Sequence, residues 1–352
     1  MALSRKLDSW YTDFGRTLPW RGIDDPYRIW LSEIILQQTR IEQGRDYYMR
    51  FVETFPTVKD LAEATEEQVL RQWQGLGYYS RARNLHAAAK YIMNECGGVF
   101  PTTYEEILRL KGVGRYTAAA IASFAFRLPY PVIDGNVYRF ISRLYGIVTP
   151  IATDAAYKEF ESVLKKQIDR RRPDRFNAAL MDFGSLQCKP QPDCTECPFA
   201  GECNALRTGR VEALPVKTPK MKPTDRWFIY FDLRWKEGGT TYTLVEQREG
   251  KDIWRGLYQF PLLEAEQELS DKELEDAAIH FVQKNFSIFN FHFSISASCL
   301  HQLTHRTIHA LFLRAELVGR PSSIPKKYVV TPIDGIKKIP VSRLIDRYLQ
   351  TL

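Results

Sequence analysis

No apolar run in the chain reaches the length of a bilayer span, and the stretch from Met1 to Arg21 is too broken by charge to read as a secretory signal. The expectation is a soluble protein that makes no use of a membrane and works inside the cell, cytoplasmic and at the nucleoid in a bacterium or otherwise intracellular. An acidic surplus is also missing: 49 Lys and Arg stand against 42 Asp and Glu, a formal net charge of +7. That balance fits a polyanion partner without proving one, because many basic proteins bind no nucleic acid. There is neither an internal repeat nor a low-complexity segment. Cysteine is scarce: there are six, and Cys96 and Cys299 stand alone and read as small buried apolar residues. The other four are crowded between Cys188 and Cys203, which in a reducing compartment points to a metal site more than to disulfides. A length of 352 residues with 44% hydrophobic side chains suggests two domains with ordinary cores.

Strand signals are absent from the first part, to about Arg207, which is helical by pattern. Asp25-Pro26 reads as an N-cap followed by Pro at the first helical position, opening a helix over Tyr27 to Gln43. Thr57 and Thr65 read as caps of helices over Val58 to Ala64 and Glu66 to Trp73. A loop with two glycines and two aromatics follows, Gln74 to Ser80, then a basic helix to Cys96. Thr102 or Thr103 caps the next helix. Asp154 opens one over Ala155 to Ile168, and Arg175 to Gln187 leads into the cysteines. From Thr208 to Asp225 spaced prolines and lysines read as an extended basic linker. Beyond it the period changes. Trp227 to Trp235, Thr240 to Gln247, Phe291 to Leu300 and Thr307 to Leu317 read as strands, with Gly238-Gly239 as a turn. Ser270 to Phe286 reads as a helix with a capping box from Ser270 to Glu273.

The stretch around which the chain is organised is Leu110-Lys111-Gly112-Val113-Gly114-Arg115-Tyr116-Thr117. Gly112 and Gly114 allow a tight turn and close backbone approach, and the helix after them starts with free N–H groups, a ready phosphate site. About twenty residues on, Asp134 stands just before another helix, Asn136 to Leu144. Taken singly, Gly112-Val113-Gly114 could be a plain interhelical loop, and Asp134 a plain N-cap. Glu33 lies on an otherwise apolar helix face beside Trp30 and Ile34, and burial of that kind raises a carboxyl pKa so that it can act as an acid. Alone, it could equally be a surface charge.

Cys188, Cys194, Cys197 and Cys203 are spaced C-x5-C-x2-C-x5-C. Four thiolates so close suit tetrahedral zinc or an iron–sulfur cluster, and ligand softness alone does not decide between them. Such a tied-down loop, with Lys189 and Arg207 near it in sequence, could present positive charge to a nucleic-acid backbone.

Taken together these residues resemble the endonuclease III superfamily of DNA glycosylases and, within it, the adenine glycosylases of the MutY type. The resemblance rests on Leu18-Pro19-Trp20-Arg21, on Trp30 to Thr39, on Gly75 to Leu85, on the hairpin and on Asp134-Gly135-Asn136-Val137. It extends to Trp254-Arg255-Gly256-Leu257-Tyr258-Gln259-Phe260-Pro261. The implied architecture is a mainly α region with two helical lobes, a helix-hairpin-helix and an iron–sulfur loop at 188–203, spanning 1–207. The linker 208–225 and an α+β Nudix-like domain over 226–352 would follow. The cluster implied by the family is [4Fe–4S]. The resemblance implies that Glu33 protonates adenine at N7 and later handles the water, and that ionised Asp134 stabilises or briefly bonds the sugar cation, parallel to two-carboxylate sugar hydrolysis. Tyr116 and Asn136 would give polar support. Relatives that also cut the strand carry lysine at the position of Tyr116, and a phenol cannot form a Schiff base, so a monofunctional enzyme is expected.

The target base must be flipped out of the duplex. Gln38, Leu76 and Tyr78 match positions that fill or wedge the stack; Tyr78 could instead be a core aromatic. Gly112, Val113 and Gly114 would hold the backbone, and Trp20 and Arg21 would line the base pocket. The expected partner is double-stranded DNA carrying adenine opposite 8-oxoguanine or guanine, bound by a monomer. Thr304 and His305 match the lesion-reading Phe-Ser-His of the family, with Leu303 replacing the aromatic. The acidic pattern of true Nudix hydrolases is missing, so no second activity is expected. Three departures stand out: a first cysteine gap one residue short, Ala178 where the family often has Glu or Gln, and Leu303. Competing readings are a non-catalytic iron–sulfur DNA-binding protein on the same scaffold, or a glycosylase for another base such as thymine opposite guanine. The presence of Glu33, Asp134, Tyr116 and Asn136 together speaks against the non-catalytic one.

Overall fold

The structure, a computed structural model, describes residues 2–218 and 222–352. Residues 219–221 of the expected linker therefore lie outside the described residues. Helices run in the order α1 (Ala2–Phe14), α2 (Pro26–Ile35), α3 (Ile41–Thr54), α4 (Val58–Glu63), α5 (Glu66–Trp73), α6 (Ser80–Glu95), α7 (Tyr104–Leu108), α8 (Arg115–Phe126), α9 (Gly135–Tyr145), α10 (Asp154–Lys165), α11 (Pro173–Leu186) and α12 (Asn204–Arg207). No strand occurs among the described residues before Thr224. The caps are where the short polar residues stand. Thr57, Thr65 and Thr103 each close a capping box with the residue three positions on, and Asp25 accepts from the backbone N–H groups of Tyr27 and Arg28.

Two readings of the sequence are corrected. The helix expected over Tyr27 to Gln43 ends at Ile35 and a new one begins at Ile41. Gln38 sits in the left-handed region at φ 56°, which breaks the helical path and turns Gln37, Gln38 and Thr39 into a cleft. The cap of α10 is Thr153, whose hydroxyl accepts from Ala156 N–H, and Asp154 is the first helical residue. Gly114, unlike Gly112 at φ +82°, has ordinary extended backbone at φ −97°.

The chain divides into two compact units, Met1–Ala64 with Arg83–Pro219, and Thr65–Ala82 with Lys220–Leu352. In the first, α1 contributes Leu3, Leu7 and Trp10, spaced to share one helix face, to a core with Val137, Phe140 and Ile141 of α9 and Phe176, Leu180 and Phe183 of α11. The rings of Phe140, Phe183 and Phe199 close on one another at 4.5–5.3 Å between centroids. Each such ring, fully buried, contributes roughly 1.5–3 kcal/mol. That cluster fixes α9, and so the aspartate at its start, against the loop that carries the cysteines.

In the second unit the strands are β1 (Thr224–Glu237), β2 (Thr240–Gln247), β3 (Tyr258–Gln259), β4 (Leu262–Ala265), β5 (Ser294–Gln302), β6 (Arg306–Glu316) and β7 (Tyr328–Pro332). They form one mixed sheet in the order β3-β2-β1-β6-β5, with β4 on β1 and β7 on β2. β1 and β6 pair in parallel over their length, Thr224 with Arg306 through Arg234 with Glu316. Gly238 and Gly239 make the turn between β1 and β2, both at positive φ. Alternation along β1 fills both faces. Phe228 and Tyr230 pack under α14 (Arg343–Leu349), and Ile229, Phe231, Leu233 and Trp235 under α13 (Asp271–Phe286). Ser270 and Glu273 make the expected capping box.

Candidate active site and cysteine loop

A cavity of about 790 Å³ opens in the first unit between the end of α2, the hairpin and the start of α9. Its lining brings together Trp20, Arg21, Glu33, Gln38, Gly112, Gly114, Tyr116, Asp134 and Asn136. The apolar face of α2 carries Glu33 inward, where it is only 6% exposed beside buried Trp30 and Ile34. Burial pushes its carboxyl pKa up; the Arg21 guanidinium and the Tyr116 hydroxyl draw it down, and the Asp134 charge pushes it up again. Tyr116, on the first turn of α8, hydrogen-bonds Glu33 and is itself raised well above the usual phenol range by burial and the two carboxylates.

Asp134 caps α9. Its Oδ1 accepts from Val137 N–H at 2.7 Å, and its Oδ2 from Asn136 Nδ2 at 2.8 Å. Burial raises its pKa while these N–H donors draw it back. The two carboxyls thus differ in kind. Glu33 is buried with a phenol for company, and Asp134 is partly open to the cavity and held by N–H donors suited to an anion. Trp20 is buried edge-on to Tyr48. Arg21 lies over the Phe124 ring at 4.3 Å, and its Nη1 has no hydrogen-bond partner among the described residues. Ala178 is buried and not part of the lining; Met181, one turn on, lines the cavity instead.

The hairpin turn is closed by Val113 N–H to Leu110 C=O at 3.0 Å, with Val113 buried and the glycines exposed. A Cβ at Gly112 would stand 2.7 Å from Asn84 Cβ. No side chain caps α8, so its first N–H groups are left for a ligand. The remaining sequence candidates are not in this cavity. Leu76 is buried, 8% exposed, in the second unit. Tyr78 is 45% exposed at φ 47°, and its hydroxyl meets that of Thr304, in the turn between β5 and β6 that also carries exposed His305.

Three arginines escaped the sequence reading. Arg16 holds buried Asp182 through its own N–H at 2.9 Å and its guanidinium at 2.5 Å, at the rim of the cavity. Arg139 donates to Asn136 Oδ1 at 2.9 Å, Gly184 C=O at 2.5 Å and Cys188 C=O at 2.7 Å. Its position three residues after Asn136 on one helix face was the available signal. One turn further, buried Arg143 donates to the carbonyls of Lys189, Pro190, Val211 and Leu214 at 2.8–3.1 Å and lies 3.5 Å from Cys188 Sγ.

Cys188, Cys194, Cys197 and Cys203 are all free thiols and line one cavity with Phe140 and Arg143. Burial pushes the Cys197 thiol up to about 11 and raises those of Cys188 and Cys194. Among the described residues no group of three or more His, Cys, Asp or Glu side chains is drawn together as for a single ion. The four cysteines line this one cavity together, and such a donor set fits an iron–sulfur cluster.

This fold and cavity define a helix-hairpin-helix protein of base excision repair. Residues 31–166 match the family model described as HhH-GPD superfamily base excision DNA repair protein, and residues 233–351 match the NUDIX domain model. A solved structure of a thermostable thymine-DNA glycosylase is similar at a TM-score of 0.55 and 26% identity, over 59% of this chain and 96% of that one. The adenine DNA glycosylase of Buchnera aphidicola subsp. Baizongia pistaciae is 34% identical over 310 residues, 86% of this chain and 82% of that protein. That of Rattus norvegicus is 41% identical over 227 residues, 61% of this chain and 44% of that protein. The chain belongs to the adenine DNA glycosylase family.

Proposed function

We propose that this enzyme flips adenine out of double-stranded DNA, where it lies opposite 8-oxoguanine or guanine, and hydrolyses its N-glycosidic bond. The observation that carries the reading is the unlike pair of carboxyls on one cavity, a buried Glu33 with a raised pKa and an N–H-held Asp134. Protonated Glu33 gives its proton to N7 of the base. The bond from C1′ to N9 then breaks with its electron pair on the base, and the Asp134 carboxylate offsets the positive charge left on the sugar. Glu33, now ionised, takes a proton from water as the oxygen bonds to C1′, which leaves free adenine and an abasic site. Tyr116 and Asn136 orient the two carboxyls. Tyr116 offers no amine, so the strand is not cut.

Trp20 and Arg21 hold the flipped base, with the Arg21 guanidinium acting on the Glu33 carboxyl from the same cavity. The turn at Gly112, Val113 and Gly114 and the open end of α8 take backbone phosphate. Gln38, Leu76 and Tyr78 occupy the disturbed stack, where stacking of Tyr78 on a base offsets roughly 1–3 kcal/mol of the unstacking cost. The catalytic work belongs to 1–207. Thr304 and His305, in 226–352, read the base opposite. Cys188, Cys194, Cys197 and Cys203 would hold a [4Fe–4S] cluster, whose part would be to tie down the loop that ends at Cys203.

The test is single-turnover base release from duplexes with adenine opposite oxoguanine, guanine or thymine, with and without alkali. Adenine release opposite oxoguanine, and strand breaks only after alkali, are expected. Release of thymine opposite guanine in place of adenine would move the assignment to the activity in the name of the structural neighbour. No release from a folded, DNA-binding sample would point to a non-catalytic scaffold. Thr304→Ala with His305→Ala should narrow the preference for oxoguanine over guanine; an unchanged ratio refutes their role.

A further inference from the structure

The second unit has a groove that none of the chemistry above uses. It measures about 480 Å³ and lies where β1, β6 and β5 run past the strap before α13. Trp227 and His309 stack face to face on its floor at 5.0 Å. Ile295 and Leu300 of β5 stand 62% and 64% exposed at its side. β5 ends the sheet, and among the described residues no further strand pairs with it. Its nine residues, Ser294–Gln302, contain no Lys, Arg, Asp, Glu or Pro, although one bulge interrupts the register at Ile295/Ala297. An edge strand without charge or proline is open to pairing with another segment. The charge of the groove is the deciding observation. Glu268 and Asp271 line it, and no lysine or arginine does, in a chain whose net charge is +7. Such a lining repels phosphate and favours a cation.

We propose that this groove and the free edge of β5 bind a partner protein through an extended segment that carries lysine or arginine between apolar side chains. The segment adds to β5 as a further strand. Its apolar side chains pack beside Ile295 and Leu300, and its cation reaches over Leu300 into the groove toward Glu268 and Asp271. The inference goes beyond the proposed function and does not depend on it, because neither the cavity at Glu33 nor the turn at Thr304 takes part.

The experiment uses the full chain, immobilised, against a random nonapeptide phage library, with recovered sequences resynthesised. The expected peptides alternate apolar and basic residues, and their binding protects the amides of 294–302 from hydrogen exchange. Glu268→Lys with Asp271→Lys, and separately Leu300→Asp, should each weaken binding at least tenfold while base release stays as in the parent. All three positions are surface residues, and a melting curve checks that each variant folds. Recovery of no peptide, recovery of acidic peptides, protection elsewhere, or displacement by single-stranded DNA would overturn the proposal. Protection of 294–302 by self-association of the unliganded chain would replace the partner with a second copy and overturn it as well.

Discussion

Glu33 is costly to keep ionised where it stands. Its folded pKa is raised above the unfolded value near 4.5, chiefly by burial. Its contribution to stability is therefore full below about pH 4.5 and is lost as pH rises through the raised value. Glu33→Gln removes that loss. The variant should melt higher than the parent at pH 8, by about 2–4 °C for each kcal/mol relieved, and show little or no gain at pH 4. Base release should move the other way, falling about 10²–10⁴-fold in single turnover while mispaired DNA is still bound. The same protonation sets the pH profile of the parent, whose rate should decline on the alkaline side as Glu33 loses its proton. A variant with normal turnover, or a parent rate that rises steadily to pH 9, would remove Glu33 from the acid role. Both carboxyls were legible in the sequence because each stands in an unusual local setting: an acid on an apolar face, and an aspartate before a helix. The Arg16–Asp182 pair was not, since its partners lie 166 residues apart and neither breaks a local pattern.

At the scale of elements, the hairpin depends on a single glycine. Gly112 adopts φ +82°, and any Cβ there would press on Asn84 at 2.7 Å. Gly112→Ala should cost roughly 1–2 kcal/mol from the left-handed backbone alone, before the clash is counted. Gly114→Ala meets open space at an ordinary φ and should leave urea stability nearly unchanged. If both glycines serve backbone phosphate, both variants should weaken DNA binding across sequences. Only the first should also lower the urea midpoint, and equal midpoints would show that the turn carries no strain. The elements themselves were read well where a cap marks them, as at Thr57, Thr65, Thr103 and Ser270. They were read poorly where none does. The break at Gln38 lies inside a helical apolar pattern and is made by a left-handed residue other than glycine, so periodicity ran through it. α1 was missed for lack of an N-terminal cap signal, although Leu3, Leu7 and Trp10 share a face. The short strands β3, β4 and β7 are too brief for alternation to show.

At the scale of the molecule, one physical path joins the cysteine loop to the Asp134 side of the cavity. Cys188 C=O and Gly184 C=O both receive Arg139, Arg139 also donates to Asn136 Oδ1, and Asn136 donates to Asp134. Asp134 is thus aimed through a positioning residue whose far anchors are a cysteine carbonyl and the end of α11. Arg139→Met keeps an unbranched apolar stem and removes all three hydrogen bonds. It should lower single-turnover release by about 10–100-fold with little change in DNA affinity, because binding does not need the carboxylate to be aligned. Arg139→Lys should recover part of the rate, since an ammonium can satisfy one carbonyl but not the fork. Arg143 supplies the contrast. It grips the same loop through the carbonyls of Lys189 and Pro190, and the segment after the loop through those of Val211 and Leu214, and none of these bonds goes to Asn136. With the proposed iron–sulfur cluster on the four cysteines, Arg143→Met should release iron faster to a chelator, and it should lower the melting temperature. As long as the loop remains loaded, its rate should fall less than that of Arg139→Met. Equal rate losses in the two loaded variants would mean that the loop acts on Asp134 through its general stability and not through Arg139.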